Sequence, residues 1–376
     1  MEDLYIYSYL FENLIFTITL TSLIIIVFYY FFFFINLNNY KNNLKDFNQP
    51  ISIILCAKNE IKNLQQNLPL LLAQKYFNFE IIVVNDQSTD NSLLYLESIA
   101  KKHKNLNIVN IDNFVNHSEG KKFALTLGIK TAKNDYLLLT DADCKPDSNE
   151  WVKKMSRNFN KSDIILGFGG YRKEQGFLNK IIRYDTFNVA QQYLSFSLRD
   201  HTYMGVGRNL AYKKSLFFDN KGFASHIHIP SGDDDLFIQE ISEGNKVSIE
   251  IDTNSHTTSE VSNSLNEWVF QKRRHLSTSP MYKWKFKLLL SIYPISQLLF
   301  LFGIIILFAI NFEIKLIIIL IAVKNFSSYV INFKSMKQLN TYDLYWIHPI
   351  YEILNLLIQG NFVLLNMFKK PKKWSR

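Results

Sequence analysis

Hydrophobic positions fall into two regimes along this chain, long uncharged runs near its ends and short strand-like runs between them. Residues 14–35, LIFTITLTSLIIIVFYYFFFFI, carry no charge, and a helix of that length, at about 1.5 Å rise per residue, crosses a hydrocarbon core of about 30 Å. Acidic residues (Glu2, Asp3, Glu12) precede it and no small-residue cleavage site follows, so it reads as an uncleaved anchor rather than a signal peptide. Residues 288–310 form a second span. Residues 314–333 form a third, in spite of Lys315 and Lys324. The stretch from Tyr345 to Phe368 holds His348, Pro349, Glu352, Asn355, Gln359 and Asn361, a pattern that predicts an interfacial or re-entrant helix. Between the spans, Ile/Val/Leu-rich runs at 51–56, 80–85, 106–111 and 136–140 alternate with helix-periodic segments near 60–73, 89–103 and 120–132. This pattern predicts an open, mostly parallel α/β sheet covered by helices on both faces, with ligands at the carboxyl ends of the strands.

Charge sets the expected topology. The net charge of +9 comes from 42 basic against 33 acidic residues. Much of the excess flanks the spans, at Lys41 and Lys45, at Lys283, Lys285 and Lys287, and in KKPKKW at 369–374. Basic loops stay cytoplasmic, so residues 36–287 are expected in the cytosol, beneath a bacterial inner membrane. The expected division is an anchor at 1–40, a catalytic domain at 41–287 and a membrane region at 288–376. Three spans plus a surface-lying helix keep the last basic cluster inside. No nucleic-acid recognition motif is present, and the basic excess suits an anionic membrane surface. The two cysteines, Cys56 and Cys144, match no zinc or redox spacing and read as small buried residues.

Candidate chemistry gathers at the strand ends. CAKNE ends at Glu60, NDQSTD holds Asp86 and Asp90, and TDADC holds Asp141 and Asp143. Asp90 and Thr89 read as caps of the next helix. Asp141 and Asp143 end a buried strand with two like charges, which calls for a positive partner. Hard oxygen ligands suit a divalent cation, Mg²⁺ or Mn²⁺. His226 and His228 in HIHIP read as ordinary alternation rather than a metal pair.

The ordered set AKNE (57–60), NDQSTD (85–90), EGKKFAL (119–125), DAD (141–143), GVGRNLAY (205–212), GDDDL (232–236) and QKRRH (271–275) resembles that of membrane-anchored, inverting glycosyltransferases of family 2. The resemblance implies the GT-A nucleotide-diphospho-sugar transferase fold. It implies a nucleotide-diphosphate sugar donor, expected to be a UDP-sugar although the residues that select the nucleotide are not legible, and a lipid-linked or glycan acceptor. Carried over by motif, Glu60 and Asp86 hold the ribose and base, and Lys121 lies near the diphosphate. Asp143 binds the metal, Asp141 the ribose or metal, and Asn209 either lines the sugar pocket or packs. Arg274 pairs with the diphosphate and Gln271 belongs to the nucleotide-sugar site, and Asp233 is the base, with a pKa raised by Asp234 and Asp235, either of which takes the role if the alignment slips by one.

One departure is that His275 stands where family synthases often carry Trp, which weakens the expectation of a processive polysaccharide synthase. Haloacid-dehalogenase-type phosphatases are disfavoured by Lys145, two residues after Asp143. A non-catalytic nucleotide-binding scaffold would have lost acidic positions that are all retained. The segment FLNKIIRYDTFNVAQQYL (177–194) is expected either to pack on the sheet or to face the bilayer.

Overall fold

The computed structural model describes residues 2–111, 120–229, 231–261 and 264–368. Glu119 of EGKKFAL and the basic cluster at 369–374 lie outside the described residues. The four runs read as strands are strands: β1 (Ile51–Ala57), β2 (Phe79–Asp86), β3 (Leu106–Ile111) and β4 (Tyr136–Leu139). They pair in parallel in the order β3-β2-β1-β4. Side chains alternate between the two faces of such strands, and each face has its own core. Ile54, Ile82 and Val84 pack with Ala124, Leu125 and Ile129 of α5 (Lys121–Thr131). Ile53, Leu55, Ile81 and Val83 pack with α3 (Ile61–Leu72), α4 (Ser92–Ala100) and α6 (Trp151–Ser156) through Leu64, Leu68, Leu96 and Trp151. Gly128 lets α5 lie close to the sheet, since a Cβ there would stand 2.8 Å from Ile54 Cγ2 and 2.9 Å from Val84 Cγ2.

Three strands complete the sheet beyond β4: β6 (Ile164–Gly167), β8 (Leu210–Lys213) and β9 (Val247–Glu250). The order is β3-β2-β1-β4-β8-β6-β9, with β8 antiparallel to both neighbours and β6 parallel to β9. A small second sheet, β5 (Cys144–Pro146), β10 (Thr257–Ser259) and β7 (Gly169–Tyr171), stands beside the carboxyl end of β4. Helices α8 (Lys214–Asp219), α9 (Asp235–Ile241) and α10 (Leu265–Leu276) follow their strands and bring the later motifs back toward that end.

Among the described residues, four helices are long and apolar enough to cross a membrane. The first, Tyr9–Asn39, comprises most of α1 (Glu2–Phe28), a π-helical stretch Tyr29–Phe34 and α2 (Ile35–Asn39). The others are α11 (Trp284–Ala309), α12 (Ile314–Gln338) and a segment from Tyr342 that includes α13 (His348–Phe368). Gly303 on α11 faces Thr19 so closely that a Cβ would stand 2.0 Å from its Oγ1. Lys324, mid-way along α12, is paired with Glu352 of α13, whose Oε1 also accepts from Tyr30 (2.9 Å) and Gln297 (2.6 Å). Removing one partner of a buried pair like this costs about 3–5 kcal/mol.

α13 lies against α7 (Phe177–Ser197) and α10. Gln359 donates to Asp185 (2.5 Å), Arg273 donates to Asn366 (3.0 Å), and Trp268 meets Phe362 edge-on. α7 also packs against β7 and β9 of the sheets and against the Tyr29–Phe34 stretch, with Tyr193 donating to the Gly167 carbonyl (2.6 Å) and Phe196 resting 4.7 Å from Phe33. The 177–194 segment thus packs on the sheet, and its other side is covered by the apolar helices of the same chain.

Candidate active site

The carboxyl ends of β1, β2 and β4 form the floor of the site. Asn59 and Gln87, the turn residues after β1 and β2, take left-handed backbone conformations (φ 56° and 54°), uncommon for residues with a Cβ. Side chains lock the two turns together: Asn59 N–H donates to Ser88 Oγ (2.9 Å) and Thr89 N–H to Asn59 Oδ1 (2.7 Å). Asp90 accepts from the amides of Ser92 (3.0 Å) and Ile61 (3.1 Å) at the starts of α4 and α3. Burial pushes its carboxyl up, but those bonds outweigh it and hold Asp90 below the usual range, so it caps helices as expected. Glu60 and Asp86 are thereby presented to one cavity.

Asp141 and Asp143 follow β4 and line the same cavity. The positive partner their charge calls for is a side chain: Lys121 Nζ, at the first position of α5, lies 2.7 Å from Asp141 and 3.1 Å from Asp233. Burial pulls the ammonium down, but Asp141, Asp233 and Asp234 together hold it well above the usual lysine range. Gly207 makes room, since a Cβ there would stand 3.3 Å from Lys121 Nζ.

The three aspartates of GDDDL have three different environments. Burial pushes Asp233 up, but Lys121 overrides it and Asp233 sits below the usual carboxylate range. The expectation that its neighbours raise it is corrected, because the adjacent ammonium outweighs them. Asp234 bears that effect instead: burial, with Asp233 and Asp235 alongside, pushes it to about 7, while Gly207 N–H donates to it (2.9 Å). Asp235 is raised by burial and accepts from Tyr282 (2.8 Å) and Thr278, which tie it to the segment entering α11.

The oxygens of Asp141 and Asp143 and the sulfur of Cys144 lie within 4.8 Å of one another. Cys144 is buried, and its thiol, turned to Ser259 Oγ (3.0 Å), is pushed well up by burial. A protonated thiol is no ligand for a hard cation. The two partly exposed carboxylates remain, and they suit Mg²⁺ or Mn²⁺ with further oxygens from water or a diphosphate.

From the other side, α10 presents Gln271 and Arg274 to the cavity, as does His275. Tyr171 OH donates to Gln271 Oε1 (3.4 Å), and its ring carries the Arg208 guanidinium at 4.6 Å. Asn209 does not belong with them. It is fully buried, donates to the carbonyls of Phe168 (2.9 Å) and Ser255 (2.8 Å) and accepts from Trp151 Nε1 (3.0 Å). With its amide engaged, Asn209 takes the packing role, the second of its two expected readings. His226 is buried beside Ser225 and Glu240, and His228 is exposed. Gly207, Arg208, Thr278 and Tyr282 went unassigned in the sequence. The first two lay inside a quoted motif, but only the fold brings Thr278 and Tyr282 to Asp235.

The cavity, ≈ 1790 Å³, is larger than the ~300–1,000 Å³ of a single-ligand pocket. It runs from the strand ends past Asp233 and Arg274 to α7, α11 and α13.

The model of the family described as glycosyl transferase family 2 matches residues 52–219. Over that span the chain is similar to family 2 glycosyltransferases. Two curated relatives are similar to parts of this chain: an uncharacterized glycosyltransferase of Haemophilus influenzae, 32% identical over 126 residues (32% of this chain, 36% of the relative), and the poly-beta-1,6-N-acetyl-D-glucosamine synthase of Staphylococcus aureus, 34% identical over 134 residues (35% and 31%). The chain thus matches about a third of the length of these relatives. Among solved structures, a mannosyltransferase of Pyrobaculum calidifontis in complex with GDP-Man and Mn2+ superposes with a TM-score of 0.60 at 14% identity, over 96% of this chain and 99% of that one. That likeness is one of fold, and the GT-A architecture expected from the motifs is the observed one. The glycosyltransferase domain match contains Glu60, Asp86, Lys121, Asp141 and Asp143 but ends before GDDDL and QKRRH.

Proposed function

We propose that the protein transfers a sugar, with inversion, from a nucleotide-diphosphate donor to a membrane-associated or glycan acceptor, with Asp233 as base. The observation that carries this reading is the position of Lys121. One ammonium joins the donor-side carboxylate Asp141 to Asp233, so the groups for donor and acceptor chemistry share one cavity. Glu60 and Asp86 accept hydrogen bonds from the nucleoside, and Lys121 and Arg274 supply charge to the diphosphate. A cation held by Asp141 and Asp143, when bound, would neutralise charge on the leaving diphosphate.

Asp233, ionised through the neutral range, takes the proton of the acceptor hydroxyl. That oxygen attacks the anomeric carbon, and the carbon–oxygen bond to the diphosphate breaks, its electron pair leaving with the nucleotide. Inversion follows from attack on the face opposite the leaving group. We place the catalytic unit at the cytoplasmic face of a bacterial inner membrane, with a UDP-sugar as the first donor to try. A donor screen on purified protein in detergent tests the reading: turnover of one nucleotide sugar is expected, and failure to bind any nucleotide sugar would leave a scaffold. Similarity to the S. aureus synthase supports a second reading, processive synthesis, which predicts products longer than one added sugar.

A further inference from the structure

The far end of the cavity is polar where lipid-facing helices meet, and its chemistry is selective. Gln191 donates to Asn332 (2.8 Å), and Gln297 bridges Tyr293 (3.1 Å) and Glu352 (2.6 Å). Asn355, 4% exposed, lines the cavity with its Oδ1 lacking any hydrogen-bond partner. A buried acceptor left open in this way costs about 1–3 kcal/mol unless a ligand donates to it. The cations nearby are engaged: Lys324 with Glu352, and Lys272 with Asp185. Among the described residues, this end therefore offers acceptors and amides but no unpaired positive charge. A phosphate would bring only more acceptors beside two carboxylates, whereas sugar hydroxyls both donate and accept. Beside this polar end, Ile295 of α11 and Leu357, Val363 and Leu364 of α13 line the cavity while remaining half-exposed, an apolar opening toward the surface that lipid would cover.

We propose that the membrane-level end of the cavity, with Gln191, Gln297, Asn332, Glu352 and Asn355, binds the uncharged, hydroxyl-bearing sugar of the acceptor, and that the acceptor's lipid tail leaves between α11 and α13. The site selects a glycosylated membrane lipid over a lipid phosphate. This rests on the glycosyltransferase reading for its purpose, but binding tests it separately.

The experiment uses full-length protein in nanodiscs, titrated with three probes below their micellar concentrations: a dodecyl disaccharide, the same disaccharide without its tail, and dodecyl phosphate. Donor affinity is measured in parallel. Dodecyl disaccharide is expected to bind at least ten-fold tighter than dodecyl phosphate. Asn355→Leu should weaken it about ten-fold without lowering Tm or donor affinity. Val363→Trp, at the exposed opening, should weaken the tailed probe but not the tail-less one. Equal binding of both disaccharides would still support the sugar site and make its source a free glycan. Tighter binding of dodecyl phosphate, or an Asn355→Leu variant with unchanged disaccharide affinity, overturns the site. Loss of all nucleotide-sugar binding would instead sink the enzymatic reading and leave the sugar site standing on its own data.

Discussion

Lys121 Nζ lies 3.1 Å from the Asp233 carboxylate while also contacting Asp141. The proposed base is thus held by the same ammonium that is proposed to serve the donor side. Because Lys121 lowers Asp233, the acidic limb of kcat/KM should lie below the ordinary aspartate range in the native enzyme. Lys121→Met removes that support, so the limb should move to higher pH, in addition to a weaker donor KM. A lower plateau with an unmoved limb would show that Asp233 is not the titrating base.

Asp233→Asn should lower kcat by roughly 10² to 10⁴ with donor affinity nearly intact, since a base acts on the acceptor alone. Asp86→Ala should weaken the donor itself. Asp234, at about 7, is the rival: if Asp234→Asn carries the large loss and Asp233→Asn turns over normally, the base moves one residue along.

Metal dependence follows from Asp141 and Asp143. Transfer should stop in chelator and return with Mn²⁺ or Mg²⁺, and Asp143→Ala should mimic the chelated enzyme. Full activity in chelator would remove the cation from the reaction and leave Lys121 as the neutralising charge.

Asn209→Ala should act on stability rather than on the donor. It orphans Trp151 Nε1 and the Ser255 carbonyl, each worth about 1–3 kcal/mol when buried unmet, while the Phe168 carbonyl keeps the Thr257 N–H (3.2 Å). A several-degree fall in Tm with unchanged donor affinity is expected. The reverse pattern would restore Asn209 to the sugar pocket.

What could be read from the chain depended on local chemistry. β1 and β2 declare themselves because each is a buried strand with parallel neighbours, hence a nearly continuous Ile/Val/Leu run, and β3 and β4 because their shorter apolar runs alternate regularly with the helix signals of α3 to α5. β6, β8 and β9, four residues apiece like β4, fall where that strand–helix alternation has broken down, so nothing frames them. Asp141, Asp143 and Lys121 were legible from motif order. The lowering of Asp233 was not, because it depends on an ammonium more than a hundred positions away. The choice between the two readings of Asn209 was not legible either, because it depends on Trp151 and on carbonyls that only the fold brings to it.

Topology can be tested by paired cysteines. Lys161→Cys, exposed on the catalytic unit, should label only from the cytoplasmic side, and Asn311→Cys, exposed between α11 and α12, only from the opposite side. Labelling of residue 161 from outside would make a nucleotide-sugar donor untenable.

The burial of α7 on both sides bears on how the enzyme can be handled. Ile182, Tyr184, Phe187 and Phe196 are covered only while the sheet and the apolar helices are both present. A fragment trimmed to 41–283 would bare a continuous sticky surface along that helix and should come out as aggregate. Evolution of such a chain cannot exchange its N-terminal helix freely either: that helix is part of the inner packing of the protein, so a replacement would have to carry its own counterparts of Phe33 and Phe34.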